Sequence, residues 1–197
     1  LFALTMAAPL VNATVIYTTT DELSLADPTQ SGRLSRTGIP SDWSAVKAFP
    51  GVLNVGTMYN YREYVINVGL GNYLQFEVDW GLGTNAFAAA YQGSYNPGDL
   101  SENYLGDIGA SGNSFGNPGF FQVLAAQNSQ VILVISSAVS GAGGVGTPFT
   151  LTTESFIDTD FTDPPTEEIP EPASMTLMSL GLGGLGLAAW RRRAARG

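Results

Sequence analysis

Residues 73–80 read Tyr-Leu-Gln-Phe-Glu-Val-Asp-Trp (YLQFEVDW). Leu74, Phe76, Val78 and Trp80 fall on one face of an extended chain, while Gln75, Glu77 and Asp79 fall on the other. That period of two predicts a strand with one buried and one wet side, as in an antiparallel sheet. Upstream, Tyr64-Val65-Ile66-Asn67-Val68 is a second strand, and Gly69-Leu70-Gly71-Asn72 between them predicts a hairpin turn. Further strands are expected at 86–91 and 120–126, and 149–153 closes the set. Val131-Ile132-Leu133-Val134-Ile135 is apolar on both sides, which predicts a central strand buried on both faces. Glycine, asparagine, proline and serine clusters separate these runs at 93–98, 106–119 and 141–148. The one helical signal is Asp42 to Phe49 (DWSAVKAF), with Asp42 as N-cap. The body, 14–157, is therefore expected to be all-β, an antiparallel jelly-roll-like sandwich. No repeat supports a solenoid or propeller.

The whole chain of 197 residues has no cysteine and no histidine. Disulfides, thiol catalysis, His-ligated metals and every nucleophile–histidine pair are thereby excluded. All 17 acidic residues lie between Asp21 and Glu171, against four bases there, so that stretch carries a net −13. Such a surface repels phosphate backbones, and nucleic acid is not an expected partner.

The two ends read as addresses. Leu1 to Leu10 (LFALTMAAPL) is apolar apart from Thr5, with small or modest residues before Ala13. Residues 1–13 read as the second half of a secretory signal peptide, cut after Ala13. The competing reading is a buried first strand, LVNATVIY (10–17). At the other end an acidic, proline-broken linker, 158–169, leads to Pro170-Glu171-Pro172. Ala173 to Trp190 (ASMTLMSLGLGGLGLAAW) then runs 18 residues without a charge, about the least that spans a bilayer as a helix. Arg191, Arg192 and Arg193 stop it, which puts that side in the cytoplasm and the body outside the inner membrane.

Pro170-Glu171-Pro172-Ala173-Ser174, the Gly/Leu-rich run and the terminal arginines resemble the PEP-CTERM sorting signal of exported bacterial proteins, over 170–197. The resemblance implies that exosortase, a membrane-embedded processing enzyme, cuts near the Pro-Glu-Pro motif. It implies anchoring before processing, and then residence at the cell surface or in the extracellular matrix among exopolysaccharide. From residue chemistry alone, the two prolines keep a helix from continuing upstream and leave an extended segment that a protease can bind.

Within the body, Tyr91, Gly93-Ser94, Asn96-Pro97 and Tyr104-Leu105-Gly106-Asp107 resemble the progression in bacterial pre-peptidase C-terminal modules. That likeness could cover 61–153 and implies a non-catalytic accessory sandwich.

Three motifs lack their context. Gly112-Asn113-Ser114-Phe115-Gly116 spells G-x-S-x-G among glycines, in a chain without histidine. Ser44-Ala45-Val46-Lys47 spells S-x-x-K, which on a helix places an amine beside a hydroxyl, yet no S-D-N or K-T-G accompanies it. Gly181 to Gly186 spells G-x-G-x-x-G with no strand before it, so it fits close packing of a membrane helix instead.

Asp99, Glu102 and Asp107 in one Gly/Asn-rich loop are the candidate Ca²⁺ or ligand group. Tyr91, Tyr95 and Tyr104 nearby offer rings on which sugars stack, or else sandwich core and rim. A glycosidase pair among Glu63, Glu77, Asp79 and Asp99 depends on distances that spacing does not supply. The expectation is a non-catalytic surface protein needing no cofactor, with a carbohydrate- or calcium-binding module as the alternative.

Overall fold

The computed structural model describes residues 13–80, 85–112, 114 and 118–157. Nine strands make up the body: β1 (Thr14–Glu22), β2 (Thr29–Leu34), β3 (Val52–Asn67), β4 (Tyr73–Asp79), β5 (Ala86–Gln92), β6 (Tyr104–Asp107), β7 (Gly119–Leu124), β8 (Gln130–Ser137) and β9 (Pro148–Phe156). They form a four-stranded sheet, ordered β1-β9-β4-β7, and a five-stranded sheet, ordered β2-β3-β8-β5-β6. Every pairing is antiparallel. Setting β2 aside, the pairs nest: β1 with β9, β3 with β8, β4 with β7 and β5 with β6. A chain doubled back on itself in this way and wound into two sheets is a jelly roll.

One apolar core lies between the sheets. Leu74, Phe76, Val78, Phe121, Phe149 and Leu151 come from one, and Tyr64, Ile66, Leu133 and Ile135 from the other. Phe76 stacks on Phe121 at 4.8 Å, and Tyr64 meets Phe149 edge-on at 6.2 Å across the gap. The alternation expected at 73–80 is present, with Gln75, Glu77 and Asp79 on the outer side. There Gln122 Nε2 donates to Gln75 Oε1 (2.7 Å), and Gln75 Nε2 donates to Glu154 Oε2 (3.1 Å), tying three strands together.

β8 is buried on both faces, as its sequence predicts. The cause is a second apolar layer on the outside of the five-stranded sheet. Rings of Tyr61, Tyr95, Tyr91, Tyr104 and Phe49 succeed one another at centroid spacings of 5.1, 4.8, 6.1 and 5.3 Å. Connections 35–51 and 93–103 supply Phe49 and Tyr95 and so cover the sheet.

Two expectations are corrected. The strands at 64–68 and 73–80 do not form a hairpin, because β3 bonds to β2 and β8 while β4 bonds to β7 and β9. The connection through Gly69–Asn72 arches from one sheet to the other, so the apolar faces of β3 and β4 meet through the core. Nor is Asp42 to Phe49 a helix. Asp42 Oδ1 accepts the Ser44 N–H (2.9 Å) in a local turn, and longer-range bonds hold the rest in place. So short a helix is marginal without tertiary support, and here the tertiary bonds favour another conformation.

The two long sides of the sandwich are closed differently. On one, the segment before Asp42 bridges the edge strands: Ser41 N–H donates to Asp107 O in β6, and Gln122 N–H in β7 donates to Ser41 O, both at 2.9 Å. Gly109 (φ +80°) lets this segment lie so close, since a Cβ there would stand 2.4 Å from Ile39 C. On the other side, Arg62 of β3 pairs with Asp21 of β1 and with Asp27 in the β1–β2 connection. Tyr64 Oη adds a bond to Asp21 Oδ2 at 3.1 Å.

Burial raises the Asp21 pKa, but bonds from Arg62, the Glu22 N–H and Tyr64 outweigh it and hold the carboxyl below its ordinary 3.8. A carboxyl whose pKa is depressed by folding stabilises the fold above its unfolded pKa, and loses that contribution as pH falls through the folded one. Acidification from about pH 5 downward should therefore weaken the wild type more than Arg62→Met. Urea midpoints measured across that range check this, and parallel curves would sever the pair from acid stability.

Candidate functional site

The three acids expected to share a loop are not brought together. Asp99 Oδ1 accepts the N–H (3.0 Å) and the hydroxyl (2.6 Å) of Ser101, which makes it the cap of an exposed turn. These bonds hold its carboxyl below the ordinary value. Glu102 Oε2 accepts from Asn96 Nδ2 (2.7 Å) in the same turn. Asp107 ends β6 instead and is fully buried. Among the described residues, no group of three acidic side chains is placed to hold a metal ion.

Asp107 is the centre of a different arrangement. Lys47 Nζ meets its Oδ1 at 2.6 Å, and the Gly109 N–H donates to the same oxygen at 2.6 Å. The Tyr104 hydroxyl donates to Oδ2. Lys47 also donates to Ile39 O (2.6 Å) and is only 13% exposed. Burial, and then the bond to Asp107, push the Tyr104 phenol well above its usual pKa. Every strong donor and acceptor here faces another, so the cluster fastens connection 35–51 to β6. The S-x-x-K lysine is thus an ion-pair partner, while Ser44 Oγ turns back to Asp42. A hollow of about 40 Å³ beside Lys47, lined by Ser41, Val46, Leu105 and Gln122, holds a few waters at most.

The tyrosines that resembled a sugar platform belong to the covered layer. Tyr91 is 1% exposed, and the hydroxyl of Tyr95 bonds to the buried Gln30. Glu77 and Asp79 stay on the outer side of the four-stranded sheet, and Glu63 lies on β3 in the other sheet. Ser114 sits in a turn, its N–H donating to Ser111 O at 2.8 Å.

The last strand, β9, ends at Phe156, and Ile157 is the last described residue. Ala13 immediately precedes β1, whose first residues Thr14 and Val15 are exposed. The signal-peptide stretch 1–12, the linker 158–169, Pro170-Glu171-Pro172, the apolar run 173–190 and Arg191–Arg193 lie outside the described residues. Among the described residues, no helix is long and apolar enough to cross a membrane. Beyond β9 the sequence passes through an acidic linker, Pro-Glu-Pro, a charge-free run and an arginine cluster, in that order.

Residues 168–193 match the PEP-CTERM protein-sorting motif. The PEP-CTERM motif marks an exported protein targeted to exosortase. No curated protein matches the chain. The match takes in Pro170–Pro172, the whole apolar run and Arg191–Arg193, and it begins beyond the last strand.

Proposed function

We propose that the chain is exported, held in the inner membrane by 173–190 with Arg191–Arg193 on the cytoplasmic side, and cut by exosortase near Pro170–Pro172. The β-sandwich then stays at the cell surface or in the extracellular matrix, beside exopolysaccharide, in a structural or interaction role without catalysis. The observation that carries this reading is the PEP-CTERM match at 168–193. Because the match starts past β9, a cut there removes no strand of the sandwich. The body supports a passive role through its outward chemistry. The four-stranded sheet presents glutamine, threonine and carboxylate side chains bonded across strands, among them Thr20 to Thr150 at 3.0 Å. These bonds satisfy the polar groups of that face across the strands, beside the exposed Phe120 and Leu124 of β7.

Intact mass of the protein recovered from host membrane and medium tests the proposal. A species beginning at Thr14 and ending near Pro170–Pro172 is expected. A species that keeps Trp190 and the arginines would make the segment a plain anchor and overturn the processing step.

A further inference from the structure

Four cations occur among the described residues, and two are committed, Lys47 to Asp107 and Arg62 to Asp21 and Asp27. Arg33 and Arg36 have no carboxylate partner among the described residues, although acids outnumber bases heavily in this body. Instead they lie together at one shallow depression, with Leu34, Phe87, Ser136 and Ala138. Placing two guanidinium groups side by side costs repulsion. Burial, and then the charge of Arg33, push the Arg36 pKa down.

Structure consumes little of what these side chains offer. Arg33 Nη1 donates to Leu34 O at 3.3 Å, and Arg36 Nη1 donates to Ser111 Oγ at 2.8 Å. Each guanidinium carries five N–H donors, so most stay open. Arg33 follows an irregularity in the ladder: Ser31 faces Met58 and Arg33 faces Leu53, so residues 54–57 of β3 loop out opposite Gly32 (φ +80°). A Cβ on Gly32 would stand 2.6 Å from Val52 Cγ1, so the positive φ and the close approach to β3 here require glycine. Ser136 comes from β8, opposite Phe87 and Tyr61, on the same outer face. It is 7% exposed and lines the depression.

We propose that Arg33, Arg36 and Ser136 form a binding point for one tetrahedral oxyanion of the phosphate or sulfate class, free or as a monoester. Two planar forks and a hydroxyl approach from separate elements, which suits a tetrahedral group. The depression encloses no volume, so the anion sits at its rim. A string of charges is disfavoured, because the surrounding acids repel a polyanion.

The test titrates inorganic phosphate into the solubilised full chain and follows the arginine Nε–Hε resonances. A saturable shift with a Kd of about millimolar order is expected. Arg33→Gln and Arg36→Gln should each weaken binding about tenfold or more, as loss of a charge-assisted bond does. Ser136→Ala should weaken it by a smaller factor. Unchanged melting temperatures without phosphate would establish that the variants are folded. No saturable shift, or affinity equal to wild type in both arginine variants, overturns the proposal. So does polyphosphate binding more tightly per charge than phosphate. Methyl phosphate distinguishes the sources: binding at least as tight as phosphate assigns the monoester, and weaker binding assigns the free ion.

Discussion

Lys47→Met should lower the stability of the sandwich by about 3–5 kcal/mol, the usual cost of removing one partner from a buried ion pair. Asp107 is fully buried and meets Lys47 Nζ at 2.6 Å. Without the ammonium, the Gly109 N–H and the Tyr104 hydroxyl still donate to the carboxylate, but neither supplies a positive charge. Connection 35–51 loses a fastening at the same time, because Lys47 also holds Ile39 O. For a domain of this size the melting temperature should fall by roughly 10–15 °C. A loss below about 1 kcal/mol would put the pair in the class of solvated surface bridges and refute the assignment. The double variant Lys47→Met with Asp107→Asn is expected to recover part of the loss, since no lone charge stays buried. Calorimetry on the four proteins of that cycle measures the coupling directly.

The second large effect concerns processing. Alanine at Pro170, Glu171 and Pro172 together should leave the chain uncut in the host membrane, at the mass that includes Trp190 and Arg191–Arg193. Two physical consequences combine. Removing both prolines lets a helix continue upstream from the apolar run, and removing Glu171 takes away the charge within the motif. Circular dichroism and melting of the body should not change, because β9 ends at Phe156. Normal processing of the variant would show that exosortase reads another part of 168–193.

How much of the molecule is legible in the sequence depends on how local the governing physics is. The sorting motif is a linear word whose chemistry lies in adjacent residues, and it can be read whole. The faces of β4 and the double burial of β8 are legible because alternation reports burial directly. What alternation does not report is which strand lies alongside which. A short glycine-containing connection serves a hairpin or an arch equally, and only the pairing of β3 with β8 and of β4 with β9 separates them. The Lys47–Asp107 pair spans 60 positions and is hidden for the same reason. Asp107 looks like a loop acid because Gly106 and Gly109 lie so near it in sequence. In the fold, Gly109 is small so that Ile39 can pass close by.

Mechanical load falls unevenly on such a body. Thr14, at the start of β1, lies across from Ser155, near the end of β9, so both strand ends leave from the same end of the sandwich. β9 is bonded along its length to β1 on one side and β4 on the other. Tension between the end of β9 and an attachment at the far end, near Glu22 and Pro148, would run along the strand and strain both ladders in shear. Tension between Thr14 and Ser155 would instead peel β1 away one bond at a time. A body held through its last strand therefore resists drag on its distal loops far better than it resists being pulled by its first strand.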